Sequence, residues 1–135
     1  MVDEVVQFWT ALFRRQERPD VWKAAPASTS RHHVIACGIG RVGYRVILHL
    51  LRMGYEVVGV EQNPNAPFLS LLRREGVAVV VGNARQRDVL EKAGVRAASA
   101  LIAATEDDAA NLSIALIARE SLYLRRWKHW RVWSG

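Results

Sequence analysis

The chain has 135 residues, 50% of them hydrophobic and 24% charged, the balance of one globular domain large enough for a real core. Its formal charge of +6 raises the question of nucleic acid, and the placement of that charge answers it: residues 1–31 carry five basic and four acidic side chains, residues 32–118 nine and eight, and residues 119–135 five and one. The body of the chain is nearly neutral and carries no nucleic-acid footprint.

Three zones follow one another. Residues 1–31 open with Val2, Val5, Val6, Trp9, Leu12 and Phe13 at helical spacing, which predicts an amphipathic helix, and "PDVWKAAPASTS" then reads as a turn-rich linker. Such a helix docks on its own domain or on a partner. The start, MVDE, lacks the basic region of a signal peptide, and no run reaches the roughly 18 apolar residues of a membrane span.

Residues 32–121 alternate strand-like and helix-like segments. "HHVIACG" predicts a first strand, "RVGYRVILHLLRMG" a helix stopped by Gly54, and "YEVVGVE" a second strand. "NPNAPFLSLLRREG" predicts a helix with Phe68, Leu71, Leu72 and Glu75 on one stripe; "VAVVVG" is a third strand, "ARQRDVLEKAG" a third helix and "ALIAAT" a fourth strand. "EDDAANLSIALIARESL" closes the series as a long fourth helix. Val, Ile and Ala runs without polar alternation mark strands buried on both faces, and strand–helix alternation gives right-handed βαβ units. The expected fold is a doubly wound, mostly parallel, Rossmann-like α/β sheet. Cys37, the single cysteine, excludes an internal disulfide framework, fits a reducing cytoplasm, and is expected as a buried, inert thiol.

Residues 122–135, with Trp127, Trp130 and Trp133 among Arg125, Arg126, Lys128 and Arg131, break the alternation. Aromatics interleaved with cations suit base stacking or a membrane interface. The plainer alternatives are a poorly ordered end or a short strand at Arg131–Trp133.

"CGIGRVGY" places Gly38, Gly40 and Gly43 between a strand and a helix. In a βαβ unit that spacing allows a tight turn, a close approach of phosphates to backbone, and a helix packed on its strand. The helix start offers N–H groups and a positive dipole end, and Arg41 stands there either as a phosphate contact or as a solvated side chain. Glu61 ends the second strand about 20 residues on, where a carboxylate accepts ribose hydroxyls and repels a 2′-phosphate, which disfavours NADP. "VGNA" and "ATEDDAAN" end strands three and four on the same edge. Thr105 reads as a helix N-cap with Asp108 three residues on as a capping box, which explains that stretch without a ligand.

Taken in order, "HVIACGIGRVGYRVILHLLRMGYEVVGVEQNP" and "GVAVVVGNARQRDVLEKAGVRAASALIAATEDDAANLSIALIAR" resemble the TrkA-N domain, the N-terminal half of the RCK (regulator of K+ conductance) module, also called KTN. The resemblance covers roughly residues 33–119. It implies a cytoplasmic ligand-sensing domain of potassium channels and transporters, at the inner face of the membrane, assembled as dimers or rings. It also implies NAD(H) as ligand, or an adenine nucleotide (ATP, ADP or AMP). By position, Gly38, Ile39, Gly40, Arg41, Val42 and Gly43 would hold the phosphates, Glu61 the ribose, and Asn83 and Ala84 the adenosine side, with Gln62 a further cofactor-binding residue. Thr105 and Glu106 would face the distal phosphates or the second nucleoside. The family commonly has Asp where this chain has Asn83. After about Ser121 the resemblance ends, and the fifth strand, its helix and the sixth strand are not recognisable.

Two other functions share the crevice. A small NAD-dependent oxidoreductase would need catalytic groups, yet no Tyr-x-x-x-Lys pair is present, His32 and His33 precede strand one, and His49 lies within helix one. The histidines and Cys37 show no metal-ligand spacing. A ligand-free interaction module would use the N-terminal stripe and the Trp-rich tail.

Overall fold

The computed structural model describes residues 32–134, with side chains to Ser121; the predicted N-terminal helix and linker lie outside the described residues. The predicted alternation is present as β1 (Val34–Cys37), α1 (Arg41–Arg52), β2 (Val57–Glu61), α2 (Leu69–Arg74), β3 (Ala78–Val81), α3 (Arg87–Lys92), β4 (Ala100–Ala103) and α4 (Asp108–Ser134). All strand pairs are parallel and the order across the sheet is β3-β2-β1-β4. Val34 lies beside Val57 on one side and Ala100 on the other, and Val58 lies beside Ala78.

The chain moves outward from β1 to β2 and β3, then returns to place β4 on the other side of β1. The switch point of the sheet therefore falls between β1 and β4, where the loops leaving two neighbouring strands diverge to opposite faces. Helices cover both faces. Ile47 of α1 with Leu69 and Leu72 of α2 pack with Ala36, Ile39 and Val57 in one cluster. Val89 and Leu90 of α3 with Ile114, Ala115 and Ala118 of α4 pack with Ile35, Val58 and Leu101 in the other. Burying each large aliphatic side chain contributes about 1.5–3 kcal/mol, so the two clusters hold the short strands in place.

Several expectations shift by a residue or an element. On α2 the inward pair is Leu69 and Leu72; Leu71 is exposed, and Phe68 stands before the helix, its ring 4.7 Å from that of Tyr44. The apolar run of β3 does not mark full burial. This strand is one of the sheet's two edges; its first three residues are half-buried and Val81 is exposed, whereas β4 at the other edge is buried throughout. No fifth strand follows β4 among the described residues. Instead α4 continues for 27 residues, so the backbone of Arg131–Trp133 is helical rather than a strand. No helix among the described residues is long and apolar enough to cross a membrane.

The amino edge of the sheet is closed by polar groups. Ser99 N–H donates to the His33 carbonyl at 2.7 Å, and Ser99 Oγ donates to the His32 carbonyl at 2.7 Å. The His33 ring is fully buried, with Nε2 2.7 Å from the Ala93 carbonyl at the end of α3 and Nδ1 without a hydrogen-bond partner. Nε2 therefore carries the proton of a neutral imidazole. Desolvation first, and the neighbouring His32 after the opposing pull of the Ala93 carbonyl, hold its pKa below the ordinary 6.5. The unfolded chain then binds the proton more readily, so His33's contribution is fully present above about pH 6.5 and is lost as pH falls toward the folded value. Between pH 7 and 5 the native chain is expected to lose stability by up to about 1.4 kcal/mol per pH unit from this one group. His33→Leu flattens that slope; equal slopes in thermal melts of both chains would refute the assignment.

Candidate functional site at the carboxyl edge of the sheet

The three glycines of the β1–α1 turn do different work. Gly38 has φ +92°, a left-handed conformation that favours glycine, and a Cβ there would lie 2.9 Å from both Ala104 O and Thr105 N. The turn after β1 thus rests on the turn after β4, a contact continued by Ala104 N–H donating to the Cys37 carbonyl at 2.8 Å. Gly43 lies in the first turn of α1, where a Cβ would sit 1.8 Å from Gly38 O. Both residues are accounted for by the protein's own packing.

Gly40 is not. Its φ of −94° and ψ of −158° suit any residue, and nothing among the described residues lies within 4 Å of a Cβ placed there. Gly40 is the N-cap of α1, which receives no side-chain cap and has no acidic residue in its first turn. The contrast with α4 is direct: Asp107 Oδ1 accepts N–H bonds from Ala109 at 2.9 Å and Ala110 at 3.3 Å, and Asp108 opens the helix. One helix start is neutralised by its own side chains. The other presents its N–H groups and positive dipole end to open space, the arrangement that attracts an anion.

Glu61 ends β2 beside this turn. Its Oε1 accepts the Ile39 N–H at 2.8 Å and its Oε2 accepts the Asn63 N–H at 2.8 Å. The half-buried carboxylate is therefore not free for a ligand alone; it ties the glycine turn to the exit of β2. Each carboxylate oxygen has a second acceptor site, so the group can receive hydroxyls without releasing the backbone. The Ile39 side chain is buried against Gly59, whose Cβ would meet it at 2.7 Å, which leaves only its backbone facing the crevice. Arg41 and Gln62 are exposed and Val42 is half-buried.

At the end of β3, Gly82 N–H donates to Glu61 O at 2.9 Å, and half-buried Asn83 accepts the Arg85 N–H at 2.9 Å. Ala84 is buried in the core with Val89, so its side chain serves packing. At the end of β4 the predicted cap is corrected. Asp107 caps α4, because the helix begins at Asp108, and Thr105 is instead bound to Asn111. Asn111 Oδ1 lies 2.9 Å from Thr105 N and 2.6 Å from Thr105 Oγ1, while Asn111 Nδ2 donates to Thr105 O at 3.1 Å. Thr105 is half-buried and Glu106 exposed on the same edge.

Cys37 adjoins the glycine turn but is fully buried, and burial pushes its thiol up to about 12, which removes the thiolate needed for nucleophilic chemistry. His49 is exposed on α1, and His33 closes the opposite edge. Among the described residues no group of three or more His, Cys, Asp or Glu could hold a metal ion. Direct contacts bring together the Gly38–Gly43 turn, Glu61 and Thr105, with Asn83 one strand further out.

Fold and edge together define a Rossmann-like domain with an uncapped helix start at the switch point and an acid at the end of its second strand. The chain belongs to the TrkA-N domain family, whose pattern matches residues 34–127. It is similar to the TrkA-N domain of the inner membrane protein YbaL of Escherichia coli, at 29% identity and a TM-score of 0.51 over 56% of this chain and 54% of that one. It is also similar to the GsuK channel in an NAD-bound structure, at 29% identity and a TM-score of 0.58 over 68% of this chain and 16% of that one. An uncharacterised protein of Methanothermus fervidus is 32% identical over 93 residues, 69% of this chain. The chain spans 15% to 17% of the length of the curated relatives it matches, among them a formate-dependent phosphoribosylglycinamide formyltransferase of Azoarcus sp., 36% identical over 67 residues.

Proposed function

We propose that this TrkA-N domain is a cytoplasmic regulatory module that binds NAD(H), or else an adenine nucleotide, at the β1–α1 turn, and conveys occupancy to a potassium channel or transporter within a homo-oligomer. The observation that carries the reading is Gly40 at the uncapped start of α1. Neither a left-handed φ nor packing among the described residues calls for glycine there, and the open N–H groups suit a phosphate. Glu61 beside the turn supplies ribose recognition and excludes a 2′-phosphate. The NAD bound by the GsuK channel supports the dinucleotide as the first ligand to test. Regulation requires that two states of the assembly bind the ligand with different affinity. With His33 at the far edge and Cys37 buried, binding rather than hydride transfer is the role that the crevice supports.

Calorimetric titration tests this. NADH or NAD+ is expected to bind, and NADPH at least about tenfold more weakly, since one poorly placed charged contact costs about 1.5–3 kcal/mol. Glu61→Ala is expected to weaken NADH by a similar factor and to narrow the NADH/NADPH difference. Absence of binding by NADH, NAD+, ATP and ADP alike would overturn the reading.

A further inference from the structure

Asn111 is one of four polar or charged residues buried below a tenth of their surface among the described residues, and it is 1% exposed. Its amide makes three bonds, all to one neighbour: the oxygen with Thr105 N–H and Oγ1, the nitrogen to Thr105 O. This is more than a cap needs, because Asp107 already caps α4. The bonds hold the β4–α4 turn at both its donor and its acceptor, like the pairing of a missing strand residue. The turn so held is the one on which Gly38 rests, with Ala104 O and Thr105 N each 2.9 Å from where a Gly38 Cβ would be. One wall of the crevice is the glycine turn braced by Glu61; the facing wall is the Thr105 turn braced by Asn111.

We propose that Asn111 is a positioning residue that sets the distance between the two walls and thereby selects a dinucleotide over a mononucleotide. The inference rests on the nucleotide-binding reading above and assigns the distal half of that site. A mononucleotide reaches the glycine turn, Glu61 and the end of β3. There the bonds of Gly38 N–H to the Val60 carbonyl, of Ile39 and Asn63 N–H to Glu61 and of Gly82 N–H to the Glu61 carbonyl do not involve Asn111, and only the side of Gly38 that faces Ala104 and Thr105 depends on it. A dinucleotide extends past Gly38 to the Thr105 turn, where it meets Thr105 and Glu106. Loss of the Asn111 amide leaves the Thr105 N–H and carbonyl without their partner in a half-buried turn, and the turn relaxes toward solvent. Because Asn111 stands on the first turn of α4, displacement of the wall also acts on the helix that runs on to Ser134.

The test compares NADH with AMP on the full chain by calorimetry. Asn111→Leu keeps the branched shape and adds no charge, and Thr105→Val exchanges the hydroxyl for a methyl, which ends its bonds with both Asn111 and Asp107. Expected is a loss of about tenfold or more in NADH affinity for Asn111→Leu, a smaller loss for Thr105→Val, no loss for Thr105→Ser, and AMP affinity within twofold of the native chain in all three. The NADH-to-AMP ratio within each chain separates positioning from a general loss of fold, which would lower both ligands together. Equal losses for the two ligands, or an unchanged ratio in Asn111→Leu, would overturn the proposal while leaving nucleotide binding intact. Should Asn111→Leu yield no folded chain, the ratio in the smaller Asn111→Ser, which also lacks the amide, decides the matter by the same criterion. Absence of binding to the native chain would instead remove the reading beneath both.

Discussion

Gly43→Ala is expected to cost about 3 kcal/mol or more of stability, at the upper end of what one added methyl does in a packed site. The new Cβ would sit 1.8 Å from Gly38 O, an overlap with a backbone atom rather than with the movable end of a side chain. Gly38 cannot retreat. Its N–H is held by the Val60 carbonyl at 2.8 Å, and on its other side Ala104 and Thr105 already fill the space. The strain therefore passes to α1, which must lift from the sheet and loosen Ile47 from its cluster with Leu69 and Leu72. Chemical denaturation of the two chains measures the effect; a loss under about 1 kcal/mol would mean that α1 slides at small cost, and the close packing would not be what demands glycine at this position.

The alternation of apolar runs with helical stripes makes the order of elements legible, and runs without polar alternation, each followed by a helix, mark the sheet as parallel. What stayed hidden was relational. A run such as "VAVVVG" does not say what covers its strand: β3 and β4 both stand at an edge of the sheet, yet β4 is buried throughout while β3 is half-buried and Val81 exposed. Phe68 and Leu71 fit a helical stripe on paper, yet the helix starts one residue later and Phe68 turns to the ring of Tyr44. In the site, Gly38, Gly43 and Glu61 were readable from spacing. The second task of Glu61, tying Ile39 to Asn63, was not, since a backbone N–H leaves no trace in the sequence. Asn111 stood in the family pattern only as a letter. Its partner Thr105 is six residues away, a separation that matches no capping motif, and only the buried geometry shows what the amide holds.

Gly40→Val is expected to leave the fold nearly unchanged and to weaken NADH by about a hundredfold or more, the cost of displacing a charge-assisted phosphate contact. Two facts set this apart from Gly43. The backbone of Gly40 is already extended and outside the left-handed region, and a Cβ there meets nothing within 4 Å among the described residues. Stability should drop by no more than about 1 kcal/mol, the worth of exchanging glycine for an apolar residue at an N-cap. The valine methyls then stand in front of the α1 N–H groups, where a phosphate would have to sit. Because the helix keeps its place, melting temperature and affinity part company: Gly43→Ala loses both, Gly40→Val only the second. Gly40→Ala, with one methyl, should fall between the native chain and valine in affinity and match the native chain in melting to within a few degrees. If NADH binds the Gly40→Val chain within about threefold of the native affinity, the phosphates do not lie on this turn, and the open space before α1 has some other use.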